Sequence, residues 1–285
     1  MILINRFQKS FIVLLLAVIT LTAENQNPES KNCRSVDILF ENAMLLFEKG
    51  YYYNCITEFK RLKFFDEEKK YSYSADFHIG LAYKNGGYFF SAAESFSEAL
   101  GVAETMPEKI TAIEYLARCY MLNGEFLRAE RILIKLEEIF PEQSKNVRYW
   151  KGWNLILQDR FLEAANYFND TCPELEKFCI NTEEKKYSLS FAEYISYILP
   201  GSGEIYAGKL ISGLISLSWN VFFGYISVNA FNTGRVFDGI LNAGFWQRFY
   251  FGSSSAGKNA AKEENKLIRY DAYEFLIKEF KGRKP

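Results

Sequence analysis

The residues that come nearest to recognisable chemistry form a glycine-rich stretch that ends at Lys209. From Gly203 it reads G-x-x-x-x-G-K, the beginning of a phosphate-binding loop. Such a loop follows a buried strand, and a Ser or Thr after its lysine binds Mg²⁺. Here the next residue is Leu210, and the apolar residues upstream recur every three or four positions, which indicates a helix that ends at Pro200. The stretch therefore predicts no nucleotide site.

Other catalytic and metal-binding chemistry has few residues to draw on. The chain of 285 residues has one histidine, His78, and neither a carboxylate pair nor a nucleophile beside a base stands out. Its formal net charge of −1 removes any global electrostatic case for nucleic acid. We therefore expect no enzyme, no metal, no cofactor, and neither a nucleotide nor a nucleic acid as partner.

The five cysteines suggest one disulfide. Cys172 and Cys179 are near enough in sequence to close a short loop, and an oxidising compartment would favour their pairing. Their C-x6-C spacing with no histidine nearby is a poor zinc site. Cys55 and Cys119 fall on apolar helix faces, which predicts buried free thiols. An odd count leaves at least one cysteine unpaired, and whether Cys172 and Cys179 pair stays open.

The N-terminus has the composition of an export signal. Residues 1–23 combine a short basic start, an apolar run and a small residue before Glu24. Leu21 is an unusual residue at the −3 position of that cleavage site, so an uncleaved anchor is the alternative. Residues 24–35 would form a linker.

The middle of the chain, residues 36–182, contains four copies of one pattern. Each copy has a small residue, a turn residue seven positions later, a second small residue and a large apolar one. The first small residues are Ala43, Gly80, Ala117 and Gly152; the turns are Gly50, Gly87, Gly124 and Asp159; the second small residues are Cys55, Ala92, Ala129 and Ala164; the large ones are Phe59, Phe96, Leu133 and Phe168. Small residues let two helices approach closely, and the large residue fills the next groove.

This pattern resembles the tetratricopeptide repeat, a pair of antiparallel helices of about 34 residues. The resemblance implies a solenoid whose stacked helix pairs form a concave groove for a partner protein. Aromatic and polar side chains on the first helix of each pair would line that groove, with His78, Tyr115 and Trp150 as candidates. The first and last copies depart from the pattern at Cys55 and Asp159, as terminal repeats often do.

An uncharged run follows the glycine-rich stretch. Residues 210–231 carry no charge and are long enough to cross a hydrocarbon core of about 30 Å. The alternative is a helix buried in a soluble core. Small or polar residues recur at every fourth position, which would let a neighbouring membrane helix pack closely. They are Gly208, Ser212, Ser216, Asn220 and Gly224.

The predicted neighbour is the next segment, residues 236–257, which would complete a hairpin. Gly244 and Gly252 would form its small packing stripe. Three of its residues are polar and need partners in lipid: Asp238, Gln247 and Arg248. Arg248, about halfway along, would be satisfied by facing Asn220 or Asp238 inside the hairpin.

The glycine-rich stretch and the two apolar segments resemble a small bacterial envelope domain of the TM2 type. In that type a Pro-Gly-x-Gly-x-x-Tyr-x-Gly-Lys loop precedes a helical membrane hairpin. The matching residues are Pro200, Gly201, Gly203, Tyr206, Gly208 and Lys209. The polar second segment departs from a clean span. The resemblance covers the last third of the chain and implies a location more than an activity.

The sequence thus predicts an all-α protein. A TPR-like solenoid (36–182) is followed by a glycine loop with a helical membrane hairpin (187–257) and an amphipathic tail helix (258–285), which would dock on the repeats or lie on the membrane. We expect an exported scaffold of the cell envelope, attached to the inner membrane with its repeats in the periplasm. It would bind a protein in its groove and the lipid bilayer through its hairpin, in envelope assembly or membrane-protein insertion. A small transport or channel component is the alternative, and a nucleotide-binding enzyme is a weaker one.

Overall fold

The structure, a computed structural model, describes the backbone of residues 28–285 and the side chains from residue 35 onward. Within these residues the secondary structure is helical, and no strand occurs. The export signal expected at residues 1–23 lies outside the described residues. The first described helix begins at Pro28, so the second half of the predicted linker is helical.

The helices follow one another with short connections. They are α1 (Pro28–Glu48), α2 (Tyr52–Phe65), α3 (Ser72–Asn85), α4 (Phe89–Val102), α5 (Met106–Leu122), α6 (Phe126–Ile139), α7 (Ser144–Ile156), α8 (Phe161–Phe168), α9 (Pro173–Glu184), α10 (Leu189–Ile198), α11 (Ser202–Tyr206), α12 (Leu210–Asn232) and α13 (Val236–Lys278). A 3₁₀ turn at Pro141–Gln143 precedes α7. Two compact units divide the chain at residue 150, inside α7.

In the first unit each helix packs on the next, from α1 to α6. The predicted turn glycines Gly50, Gly87 and Gly124 all have left-handed backbones, with φ of 76°, 80° and 79°. At each turn the glycine N–H bonds three residues back and the following N–H bonds five back, as from Tyr88 to the Tyr83 carbonyl at 2.9 Å. This arrangement satisfies the last carbonyls of a helix and reverses the chain, so the glycine spacing sets the helix pairs.

The core of the first unit is built from the small and large residues of the sequence pattern. Ala43 and Ala117 are fully buried, as are the second small residues and the large residues Phe59, Phe96 and Leu133. Gly80 is where packing is tightest, because an added Cβ would lie 2.8 Å from the Phe96 ring. The helix pairs therefore approach through one interlocking contact per copy.

The second unit contains the fourth copy of the pattern. Gly152 lies against Phe168, since an added Cβ would meet its ring at 2.5 Å. Asp159 takes the place of the turn glycine and adopts the same left-handed backbone, with φ of 62°. The Arg160 N–H bonds the Leu155 carbonyl at 3.0 Å, as at the other turns. This copy therefore groups with the C-terminal helices, and the division falls earlier than the sequence-based boundary at residue 182.

The rest of the second unit is an antiparallel hairpin with a compact base. α12 and α13 pack along each other and are joined at Gly234, which has φ of 76°. The short helices α10 and α11 pack on α13 at the end of the hairpin where α12 begins, and we call this end the base. α13 is continuous for 43 residues, or about 64 Å at 1.5 Å per residue. Its first half belongs to the hairpin and its second half is the tail.

Candidate functional site

The glycine-rich loop is filled by protein atoms. Gly201 has φ of 89°, and an added Cβ would lie 2.1 Å from the Gly213 carbonyl oxygen of α12. At Gly203 an added Cβ would lie 2.1 Å from the Ala192 oxygen and 2.3 Å from the Ser196 hydroxyl, both on α10. These glycines are required because three helices meet with almost no space between their backbones.

The loop's N–H groups also point at protein acceptors. The Gly203 N–H donates to the Ser196 Oγ at 2.9 Å, and the Lys209 N–H donates to the Glu204 carbonyl at 2.8 Å. The Lys209 ammonium pairs with Glu263 of α13. Gly208, at φ of 81°, forms the turn into α12 and lies outside that helix. The groups that a phosphate-binding loop turns toward its ligand are thus used to join the loop to α10 and α13.

Tyr206 completes this base. Its ring packs edge-on against Tyr187 at 5.3 Å and Phe191 at 5.1 Å, and its oxygen accepts from the Ser188 N–H at 3.2 Å. Pro200 is buried beside Gly201. The Asn265 amide of α13 then accepts from the Tyr187 N–H at 2.8 Å and donates to its carbonyl at 2.9 Å. The residues of the loop motif therefore form one structural joint.

One carboxylate lies inside this joint. Glu204 is 4% exposed; its Oε1 accepts from the Ser212 hydroxyl, and its Oε2 has no hydrogen-bond partner among the described residues. Sequence reasoning passed over Glu204 because a single acid within a glycine-rich stretch carries no spacing signal.

The packing face of the hairpin differs from the predicted stripe. On α12 the buried residues are Gly213, Asn220, Ser227 and Ala230, whereas Ser212 is exposed and Ser216 and Gly224 are half-buried. A four-residue repeat turns 40° too far at each step of a helix with 3.6 residues per turn, so a strict stripe drifts off the contact face. Ser212 and Gly208 were therefore wrongly assigned to that face.

The predicted stripe on α13 is also wrong. Gly244 and Gly252 are exposed, and nothing lies within 4 Å of a Cβ added to either. The residues that face the hairpin interior and the base are instead Gly239, Ser253, Ser254 and Gly257. An added Cβ at Gly257 would lie 2.5 Å from the Ser196 Oγ and 3.0 Å from the Gly203 Cα. Close helix approach occurs at Gly257, five residues beyond Gly252.

Most of the large apolar side chains on the outside of the hairpin are exposed, and we call them together the apolar belt. It comprises Leu210, Ile211, Leu214, Ile215, Trp219, Val221, Phe222, Tyr225, Val228 and Phe231 of α12 and Val236, Phe237, Ile240, Leu241, Phe245, Trp246, Phe249 and Phe251 of α13, each at least 38% exposed. Among the described helices, α12 alone is long and apolar enough to cross a membrane, and 17% of its apolar window is buried. Exposed apolar surface of this extent marks a membrane or protein contact.

The hairpin's polar residues do not come together. Asp238 lies at the tip, 3.8 Å from the Arg235 guanidinium, while Gln247 and Arg248 are exposed on the outside. Asn220 is buried, and its amide donates to the Ser216 carbonyl at 2.8 Å. The expectation that Arg248 faces Asn220 or Asp238 inside the hairpin is therefore wrong. The four side chains form no polar path within one hairpin.

The three groove candidates occupy different environments. His78 is packed between the Phe47 and Phe59 rings at 5.6 and 5.5 Å, and its Nδ1 donates to the Ser74 carbonyl at 2.7 Å. Burial lowers its pKa, which favours the neutral ring. Trp150 is fully buried, so its side chain supports the core and does not line a surface. Tyr115 remains partly exposed.

Two cations lie on the Tyr115 ring. The Arg118 guanidinium is 4.3 Å from the ring centroid and the Lys84 ammonium is 5.8 Å from it. Burial, and then the charge of Arg118, lowers the pKa of Lys84 to about 8. Arg118 also lies 4.7 Å over the Trp150 ring. The first helices of two successive pairs, α3 and α5, thus present an aromatic and cationic surface suited to an anionic group. Sequence reasoning found Tyr115 but neither cation.

The tail docks on the fourth copy of the pattern, one of the two placements that its sequence allowed. Arg269 pairs with the Asp159 carboxylate at 2.7 Å, and the Tyr273 hydroxyl lies 2.9 Å from both Asp159 and the Ile156 carbonyl. Burial and the Asp159 charge raise the pKa of Tyr273, so it remains a donor. Trp153 and Phe280 add a ring contact at 5.9 Å.

A cleft of about 460 Å³ lies between α9 and this tail. Its floor includes Phe178 stacked on Phe275 at 4.9 Å. Glu174, Lys177 and Asp271 lie among its lining residues, so both signs of charge are present and neither sign of ligand is favoured.

The expected disulfide is absent. Cys172 and Cys179 are both free, because Cys172 caps the start of α9 and Cys179 lies two turns along the same helix. Seven residues of helix rise about 10 Å, beyond the Cα separation that a disulfide spans. Cys55 and Cys119 are buried free thiols, as expected. The described residues contain no cluster of His, Cys, Asp or Glu suited to a metal.

Comparison with known proteins gives a distant likeness in fold. No protein-family model matches the sequence, and no curated protein matches it. The chain is similar to the crystal structure of a tetratricopeptide repeat protein from Parabacteroides merdae, with a TM-score of 0.44 and 16% identity over 82% of this chain and 99% of that one. The description of this protein as all-helical repeats therefore rests on its own turns and core residues.

Proposed function

We propose that the protein is a scaffold of the bacterial cell envelope, exported and attached to the inner membrane by its hairpin. Its helical repeats would bind a protein partner, in envelope assembly or membrane-protein insertion. The apolar belt is the observation that carries this proposal. A soluble protein would leave few contiguous apolar side chains of this size in water, whereas lipid is a favourable solvent for all of them.

The charges at the ends of the hairpin support a bilayer between them. At the base, Lys258 pairs with Glu193 at 2.8 Å, and Lys209 pairs with Glu263. At the tip, Arg235 lies 3.8 Å from Asp238. Aromatic rings of α10, among them Tyr194 at 63% exposure, lie at the base level where interfacial rings are favoured. If the repeats are in the periplasm, as we expect from the sequence, the base and tail of the second unit also face the periplasm and the tip faces the cytoplasm.

Membrane attachment is tested by placing charges on the belt. The full chain should stay in the membrane pellet through carbonate washing and be released by detergent. Ile215→Lys with Phe222→Lys should release it without detergent, because both side chains are about half exposed on the belt. A matched pair of lysines at Tyr53 and Leu127, exposed on the repeats, should leave the distribution unchanged. A wild-type chain that is monomeric and soluble in water would refute attachment.

Partner binding is supported by the cationic and aromatic surface at Tyr115. Lys84 is half-buried and shares the Tyr115 ring with the Arg118 guanidinium, whose charge contributes to its lowered pKa, so an anionic group of a partner would be attracted to this surface. A photo-crosslinking residue in place of Tyr115 should give one discrete crosslinked product in cells, and Lys84→Glu should abolish it. The same residue at Lys135, exposed on α6, is the control. Equal crosslinking at both positions would count against a groove.

A further inference from the structure

Arg248 is the single charge of the hairpin between its charged ends. On α13 it lies ten residues from Asp238 at the tip and ten from Lys258 at the base, or about 15 Å from each. α12 carries no charge at all. If the belt is in lipid, as proposed above, Arg248 lies at mid-depth, where an unpaired charge is costly and marks a functional contact.

The surroundings of Arg248 favour another helix. Its side chain is exposed and makes no hydrogen bond or ion pair with any described residue. Gly244 and Gly252, one turn before and after it, are exposed with open space around them. Leu241 and Ser255 continue the same side of α13. We call these five residues the Arg248 face, a side of the helix with a cation at its centre and small residues around it, where a second helix can approach closely.

We propose that the Arg248 face docks a second membrane helix that carries an aspartate or glutamate at mid-depth. This inference rests on the membrane attachment proposed above and names the chemistry of a partner. The carboxylate would accept hydrogen bonds from the guanidinium, which presents its donors in a fork that matches a carboxylate. The two flanking glycines would let the partner's backbone come near enough for that contact.

Other ways to satisfy Arg248 fit the structure less well. A second copy of this chain in the same orientation would bring Arg248 against Arg248, since both lie at the same depth. Snorkelling to the lipid headgroups would have to cover about 15 Å. The carboxylates at the ends of the hairpin, Asp238 and Glu193, are both engaged with nearer cations. An acid supplied by another helix is the remaining counter-charge.

The test uses the full chain in phosphatidylcholine vesicles, with a dye at its C-terminus. Two synthetic membrane peptides of leucine and alanine carry a quencher and differ at their central residue, aspartate in one and leucine in the other. The wild-type chain should bind the aspartate peptide at least tenfold more tightly. Arg248→Gln should bring the two affinities within about twofold of each other. Arg248→Glu should shift the preference to a peptide with a central lysine.

Two controls separate the causes of failure. Arg235→Gln changes an exposed arginine at the tip and should leave the preference intact. Gly252→Leu should weaken the aspartate peptide's binding, because a large side chain there keeps the peptide's backbone away while the charge of Arg248 is unchanged. Equal binding of both peptides by a wild-type chain that floats with the vesicles overturns this inference alone. The inference would also be overturned if two copies of the wild-type chain associate in the vesicles and Arg248→Gln abolishes that association. A wild-type chain that does not float overturns the membrane attachment itself.

Discussion

Replacing Gly80 with alanine tests the helix packing on which the repeats depend. The new Cβ would lie 2.8–2.9 Å from three ring carbons of Phe96, which is fully buried. Overpacking of this kind costs about 1–3 kcal/mol, whereas glycine to alanine inside a helix gains up to about 1 kcal/mol. We therefore expect Gly80→Ala to destabilise α3 and α4 by about 1 kcal/mol.

The third copy of the pattern supplies a compensating change. There Ala117 and Leu133 are both fully buried, so alanine is tolerated where the large residue is leucine. Phe96→Leu alone should leave a cavity beside Gly80 and cost about 1–2 kcal/mol. Together, the two substitutions should cost at least about 1 kcal/mol less than their sum, because the new methyl group fills part of the space that the ring vacates.

Hydrogen exchange followed by mass spectrometry on the full chain measures these changes in α3 and α4 peptides. A loss of about 1.4 kcal/mol accelerates exchange tenfold where opening is local. Gly101→Ala is the control, because nothing lies within 4 Å of its added Cβ and the helix should gain stability. The contact between Gly80 and Phe96 does not set the packing if Gly80→Ala protects α3 from exchange as Gly101→Ala protects α4. The same conclusion follows if the costs of Gly80→Ala and Phe96→Leu are additive in the double variant.

Three further predictions follow from single sites. Asp159→Ala should loosen the tail in hydrogen exchange more than Asp159→Gly does, because it loses the acceptor for Tyr273 and also strains a backbone at φ of 62°. Gly257→Ala should lower the unfolding temperature in detergent, whereas Gly252→Ala, in open space, should not. Burial lowers the pKa of Lys84 to about 8 from 10.5; the free energy of unfolding should therefore increase as the pH rises from about 8 to 10.5, where the unfolded chain binds more protons than the folded one, and Lys84→Met should remove that increase.

The repeats were readable from sequence because their signal is local. A left-handed turn at Gly50, Gly87 or Gly124 needs a glycine, and close helix contact needs small residues at fixed distances from it. The helix pairing and the core residues followed from those two requirements. Trp150 could not be placed in the same way, since an aromatic ring at that position suits a groove and a core equally and only the packing of neighbouring helices decides.

The two helical segments of the hairpin were predicted from the sequence, but the faces through which the two helices pack were not. Apolar residues surround α12, so composition gives no preferred face, and the four-residue stripe that was used drifts around the helix. On α13 the misplaced glycines, Gly244 and Gly252, lie beside the exposed Arg248. The same small residues that suggested packing within one hairpin are therefore available for packing between helices.

The sequence pattern located the unusual turn at Asp159 but did not explain why an aspartate occurs there. Its position in the pattern requires a left-handed backbone conformation, which aspartate adopts less readily than glycine. The compensation comes from Arg269 and Tyr273, more than 100 residues later in the chain. No local spacing connects them. The departure from the pattern marks the place where the tail docks.

Continuity of α13 makes the tail and the hairpin mechanically dependent on each other. The helix has no proline from Val236 to Lys278, and its glycine- and serine-rich stretch at 252–257, where a helix can bend, packs through Gly257 against Ser196 of α10. Lys258, Asn265 and Arg269 bind successive elements along it: Glu193 of α10, the Tyr187 backbone before α10, and the turn at Asp159. Rotating the hairpin about its axis would have to break these contacts together.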